Sequence, residues 1–220
     1  MRHATPAVLL GTAFVLAACG RPEAPKYELG NAQIQGHYDR TTGKLTSITY
    51  DSNKNGKIDT WSYMDGARVI RIEIDKDEDG KLDRWEYYTP DQKLEKVGYS
   101  RANNGKPDSW AYQGPDGKVA RVELSAISVG TGLQPGALPQ IVRTEFYEND
   151  VLARAEEDTN ADGKIDKWET YQDGSLATVA FDSTGRGTPD RRLVYARDGS
   201  VRVEVDPGGT GQFKPASKPR

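Results

Sequence analysis

The chain has 220 residues, with 33 acidic against 30 basic side chains and a formal net charge of −3, so it offers no basic excess with which to hold nucleic acid. Its apolar fraction is 35% and it contains 23 glycines, against roughly 45–50% apolar in an ordinary globular domain, which argues for many small portions of burial over one large core. The single cysteine, Cys19, excludes an internal disulfide and a thiolate metal cluster.

In chain order, the first element is a leader. Arg2 and His3 precede the apolar run PAVLLGTAFVLAAC, which is too short for a stable membrane span and reads as a signal peptide over residues 1–18. Leu16-Ala17-Ala18-Cys19 resembles the lipobox of bacterial lipoproteins. That resemblance implies lipidation at Cys19, attachment to a membrane through the lipid, and a place in the cell envelope. Gly20, where an aspartate would favour inner-membrane retention, points to the outer membrane. Residues 19–35 then read as the lipidated cysteine and a tether. Losing Arg2 with the leader takes the side-chain charge from −3 to −4.

Residues 36–206 are a repeat. An acidic segment recurs as DSNKNGKID (51–59), DKDEDGKLD (75–83), SRANNGKPD (100–108), DTNADGKID (158–166) and DSTGRGTPD (182–190), with central glycines 24, 25, 58 and 24 residues apart. Most copies lead into an aromatic segment starting at Trp61, Trp85, Trp110 or Trp168. A turn follows, commonly containing Asp-Gly, and then an alternating run such as RVIRIEI or KVARVEL. Asp-Gly between alternating runs signals a β-hairpin, because the tight primed turns need positive φ. The flanking runs are rich in Val, Ile, Tyr, Trp and Thr at a period of two. The expected fold is all-β: tandem hairpins of about 24 residues in an elongated meander or solenoid-like sheet. Seven hairpins are expected, the first over 36–50 and the last over 192–205. Within RVIRIEI, strict alternation predicts Val69, Arg71 and Glu73 on one face and Ile70, Ile72 and Ile74 on the other. The tryptophans read as the layer packing one unit on the next, in preference to a stacking platform for sugar or peptide. The uncharged insert 125–140 reads either as a tolerated surface insertion or as a contact loop. Residues 207–220 read as a frayed sixth loop and a flexible tail.

The acidic segments carry the candidate chemistry. Asp75, Asp77, Asp79 and Asp83 fall at positions 1, 3, 5 and 9 of a loop, with Gly80 at 6 and Glu86 at 12. This resembles the EF-hand calcium loop, a resemblance that implies a Ca²⁺ site completed by the Lys81 carbonyl and by Glu86. The same pattern places Asp158, Asn160, Asp162, the Lys164 carbonyl, Asp166 and Glu169 around a second ion. Asp51, Asn53, Asn55 and Asp59 keep four positions, with Ser62 in place of the closing glutamate. The loop at 100 keeps only Asn104 and Asp108, and the loop at 182 keeps Asp182 and Asp190 with Arg186 at position 5, where a guanidinium would repel a cation. Both flanks of each loop read as strands, as they do around the similar calcium loops of FG-GAP repeats. The hairpin rhythm itself resembles MORN-like repeats, including those of bacterial antitoxins. Position 12 is also the residue between Trp and Tyr on a strand, so Glu86 and Glu169 are equally readable as plain sheet residues.

These observations lead to two functional expectations. The first is a lipid-anchored, non-catalytic envelope protein, stapled by calcium, that binds or displays an envelope or extracellular protein or glycan. The second is a metal-free, MORN-like binding module. An enzyme is disfavoured, because no nucleophile elbow, phosphate loop or zinc-type cluster is present and His37 is the one histidine beyond the leader.

Overall fold

In a computed structural model, residues 33–126 and 140–216 are described; the leader, Cys19, most of the insert and residues 217–220 lie outside them. The described chain is all-β. The first hairpins are β1 (Ile34–Tyr38) with β2 (Leu45–Tyr50), β3 (Thr60–Asp65) with β4 (Arg68–Ile74), and β5 (Arg84–Tyr88) with β6 (Leu94–Tyr99). Next come β7 (Ser109–Gln113) with β8 (Val119–Ser125), β9 (Ile141–Glu148) with β10 (Val151–Glu157), and β11 (Lys167–Gln172) with β12 (Ser175–Phe181). Last are β13 (Arg191–Tyr195) with β14 (Val201–Val205), and the two-residue β15 (Lys214–Pro215). All are antiparallel and stand side by side in chain order in one open sheet. The seven expected hairpins are all present, and they form a meander.

The cross-strand register sorts the side chains into two faces, since directly opposed residues point the same way. On the aromatic face, one row runs Trp61, Glu73, Trp85, Gly98, Trp110, Glu123. Beside it lies a row of alternating rings and cations: Tyr63, Arg71, Tyr87, Lys96, Tyr112, Arg121, Phe146, Arg154. Arg71 sits 4.0 Å above the Tyr63 ring, Arg121 4.1 Å above Tyr112 and Arg154 3.4 Å above Phe146. Lys96 lies 4.8 Å from Trp110 and 5.0 Å from Tyr87. Trp110 also leans across Gly98, where an added Cβ would meet the ring at 2.8 Å. The other face is aliphatic, with Ile48, Ile72, Val97, Val122, Ala155 and Val179 at equivalent points of the repeat.

Strict alternation fails at one place in each of the first six hairpins, where the register shifts by a bulge. In the second hairpin Tyr63 opposes Arg71 but Met64 opposes Val69, so Ile70 is the extra residue. Val69 therefore shares the aliphatic face with Ile72 and Ile74, not the face of Arg71 as period two predicts. Ile70 is left 49% exposed. The added residue bends the strand and increases its twist. The turns also vary. Only Asn149–Asp150 and Asp173–Gly174 have positive φ at both central residues. The turns at 89–93, 114–118 and 196–200 are longer, each closing with a backbone bond from its first residue's N–H to its last residue's carbonyl. In the first two of these a proline fixes φ near −65° early in the turn, which disallows a primed geometry.

A single-layer sheet has little interior. Among the described residues the buried apolar side chains are Trp85, Val97, Ala126, Val142, Ala155 and Val179, while thirteen polar or charged residues are buried. Eight of those thirteen are loop aspartates, so the most enclosed positions of this fold are carboxylates. The reason lies in how the loops close.

Candidate functional site

The loops that follow a hairpin at 51, 75, 158, 182 and 206 each begin with a buried aspartate whose Oδ2 accepts the N–H of the glycine five residues on. The distances are 2.7 Å for Gly56 to Asp51, 2.9 Å for Gly80 to Asp75, 2.7 Å for Gly163 to Asp158, 2.5 Å for Gly187 to Asp182 and 2.6 Å for Gly211 to Asp206. Glycine is required there: Gly80 has φ +86°, where a Cβ would be strained. The aspartate at position 9 closes the loop from the other side, accepting the position-2 N–H. Asp59 takes Ser52 at 2.9 Å, Asp83 takes Lys76 at 2.6 Å, Asp108 takes Arg101 at 3.1 Å, Asp166 takes Thr159 at 3.1 Å and Asp190 takes Ser183 at 3.1 Å. These are charge-assisted bonds, roughly twice as strong as neutral ones, and they satisfy loop N–H groups that no strand can pair.

The loops are also bonded to one another. The position-9 carbonyl of one loop accepts the N–H that opens the next: Asp59 from Asp75, Asp83 from Ser100, Asp108 from Ser125, Asp166 from Asp182 and Asp190 from Asp206, at 2.8–2.9 Å. The position-4 residues Lys54, Glu78, Asn103 and Ala161 all have positive φ, from +47° to +66°. Two of those side chains reach back to the preceding loop. Glu78 accepts both Asn55 (2.6 and 2.7 Å) and Asn53, and lies 3.5 Å from Lys57. Asn103 donates to Asp79 at 3.1 Å. The Asn55 and Asn53 amides in particular hold Glu78 below the usual carboxylate pKa.

This accounts for most of the expected ligands. Asn53 and Asn55 turn their amide nitrogens to Glu78, while their oxygens accept the N–H of Asn55 and Lys57. Asp158 is satisfied at both oxygens, by Asp162 N–H at 3.2 Å and by Gly163 N–H. Asn160 and Asp162 accept the N–H groups of Asp162 and Lys164, and Asp166 also takes the Thr159 hydroxyl. Glu86 and Glu169, expected at position 12, are committed to the aliphatic face. Glu86 meets Arg84 at 2.7 Å and Tyr88 at 2.6 Å. Glu169 meets Arg143 at 2.8 Å, Lys167 at 2.7 Å and Tyr171 at 2.9 Å. The strand pleat decides this, because position 12 lies within a paired strand.

One loop differs from the others. In 75–83, Asp75, Asp77 and Asp83 each bring an oxygen within 4.8 Å of the others, a spacing that a divalent ion could bridge. Asp75 is 6% exposed, and its Oδ1 is a buried carboxylate oxygen with no hydrogen-bond partner. In the corresponding aspartates Asp51, Asp158 and Asp182 that oxygen is taken by a backbone N–H. The donor set is all carboxylate, the chemistry a hard cation prefers. Asp79 is turned aside: Lys81 Nζ at 3.0 Å, above all, holds it below its usual pKa. The residues of this loop fit a cation, and those of 158–166 are already satisfied without one.

The remaining network was not anticipated. Arg143, on β9, bonds Glu145 at 2.9 Å and Glu157 and Glu169 at 2.8 Å each, joining β9, β10 and β11. Burial opposes its charge, but the carboxylates outweigh burial and raise its pKa. Burial likewise opposes ionisation of Glu169, yet Arg143, Lys167 and Tyr171 lower its pKa from 4.5 to about 2. The signal was present as [R/K]-x-E-x-[Y] in RWEYY, RTEFY and KWETY, where alternate residues share a face. His37 is exposed and lies 3.3 Å from Thr49 Oγ1.

No family model matches the chain, and no curated protein matches it. Among solved structures, it is similar to part of accessory secretory protein 1, 2 and 3 of Streptococcus pneumoniae, at 12% identity and TM-score 0.17. That likeness covers 69% of this chain and 19% of the other, so the chain spans about a fifth of that protein's length.

Proposed function

We propose that this chain is a lipid-anchored, non-catalytic protein of the cell envelope, held through Cys19 at the outer membrane. Its repeat sheet is a scaffold for binding or display, and Ca²⁺ in the loop Asp75–Asp83 staples it. Asp75, Asp77 and Asp83 would hold the ion, which would supply charge neutralisation and link two ends of one loop. The observation that carries the metal is the unpartnered, buried Oδ1 of Asp75. The scaffold reading rests on the aromatic face, which alternates rings and cations from β3 to β10, a surface suited to an envelope protein or glycan. The test is thermal unfolding with calcium and with chelator. With millimolar Ca²⁺ and a Kd of about 10⁻⁴ M, mass action adds about 1.4 kcal/mol, a rise of a few degrees. An unchanged midpoint refutes the staple.

The second reading, a metal-free MORN-like binding module, is favoured by one observation. The loops at 182 and 206 carry Thr184 and Arg186, and Gly208 and Thr210, at positions 3 and 5, yet they close through the same Gly-to-Asp bonds. Loop closure as such needs no ion.

A further inference from the structure

The two edges of the sheet are built differently. At the C-terminal edge, β15 has two residues: Pro215 offers no N–H and Lys214 carries a charge, both devices that discourage strand addition. At the N-terminal edge, among the described residues, β1 pairs with β2 alone, all five of its residues are exposed, and its sequence IQGHY contains no Lys, Arg, Asp, Glu or Pro. The direction of its free groups can be worked out. Gln33 O accepts the Asp51 N–H at 2.9 Å, so Gln33, and by alternation Gln35 and His37, turn their backbone groups towards β2. Ile34, Gly36 and Tyr38 turn theirs outward. The bulge near the turn places its extra residue, Thr46, on β2, because Tyr38 opposes Leu45 and His37 opposes Ser47; β1 itself stays regular.

We propose that β1 is a self-pairing edge, with two copies of this chain meeting β1 to β1, antiparallel, about a two-fold axis at Gly36. The register is self-complementary. Gly36 opposes Gly36 of the second copy, and their outward N–H and C=O groups exchange. Ile34 opposes Tyr38 of the second copy on the aliphatic face, joining two large apolar side chains that are 41% and 60% exposed in the single chain. Gln35 opposes His37 of the second copy on the aromatic face. No like charges face each other anywhere in the pair, so self-association is not opposed electrostatically. Five residues per chain bury well under the ~1,200 Å² of a stable interface. The dimer is therefore weak in free solution and favoured where copies are crowded. It does not depend on the calcium reading.

The test is sedimentation velocity on the full chain carrying Cys19→Ser, from about 1 μM to about 1 mM, the range in which weak pairs form. The expected result is a shift from monomer to dimer that stops at dimer. Gly36→Pro removes an outward N–H and no β1–β2 bond, and Ile34→Lys puts a charge on the apolar pair. Each should weaken the dimer at least about tenfold with no change in melting midpoint. If Gly36→Pro alters the melt, Ile34→Lys decides. A parent chain that stays monomeric throughout overturns the proposal, and so does a dimer untouched by the deciding substitution. Growth past the dimer also overturns it, because that marks head-to-tail addition through β14 and β15.

Discussion

Replacing Arg143 by methionine tests whether the aliphatic face is held by its ion network. Arg143 contacts three glutamates at 2.8–2.9 Å, and its side chain is 14% exposed. Removing one partner of such a buried network costs about 3–5 kcal/mol, because the carboxylates left behind are unpaired in a dry site. Lys167 still reaches Glu157 at 3.0 Å and Glu169 at 2.7 Å, so we expect the lower end, about 3 kcal/mol. The pH dependence sharpens the test. In the parent, Glu169 is depressed from 4.5 to about 2, so its contribution is complete above pH 4.5 and is lost as pH falls through about 2. At 1.36 kcal/mol per unit, that is about 3 kcal/mol, trimmed to about 2 by solvent near a single-layer sheet. The variant should depart from the parent already above this range, gaining stability relative to it as pH falls from 7 to about 4 and the orphaned carboxylates take up protons. The assay is urea unfolding followed by tryptophan fluorescence across that pH range. A loss below about 1 kcal/mol at pH 7, or pH curves that run parallel, would refute the reasoning.

Other outcomes follow from the same geometry. Gly187→Ala, at φ +86°, should cost about 1–2 kcal/mol in the same urea assay. Asp182→Ala should cost about 2 kcal/mol by stranding the N–H groups of Thr184 and Gly187; if neither substitution matters, the loops are not held by these bonds. Tyr88 and Tyr147, raised to about 12 by burial and by donating to Glu86 and Glu145, should ionise last in a spectrophotometric titration. Because the fold favours their neutral form, stability should fall as pH rises above 10 towards 12. Titration of all tyrosines near 10 contradicts this. Gly98→Ala places a Cβ 2.8 Å from Trp110 and should cost about 1–3 kcal/mol, with altered Trp110 fluorescence; an unchanged spectrum and midpoint means the ring does not lean on Gly98.

The repeat, the seven hairpins and the strand-flanked loops are legible in the sequence because each rests on a local rule: Gly at a left-handed position, Asp beside it, and alternation in between. The roles of the loop acids are not legible in the same way. Asp75 and Asp182 look alike in sequence, and both accept a glycine N–H; what separates them is whether the second oxygen also finds a donor. Asn53 and Asn55 fit a cation loop on spacing, but Glu78, 23 residues beyond Asn55, claims them once the loops stack. The bulge at Ile70 leaves no mark in RVIRIEI, since it depends on how the turn at Asp65 sets the register. Residues 207–220 read as a frayed loop and tail because the acids are missing. The structure instead closes that loop on Asp206, places Phe213 4.4 Å from Arg192 and adds β15. Position 1 and position 6 suffice.

The most direct measurement for the account is calorimetric titration of the protein with Ca²⁺. We predict one site per chain, with a Kd of about 10⁻⁴ M, abolished by Asp77→Ala and retained in Asp162→Ala. Absence of binding at millimolar calcium, or a site that survives Asp77→Ala, would contradict the assignment of an ion to the loop around Asp75.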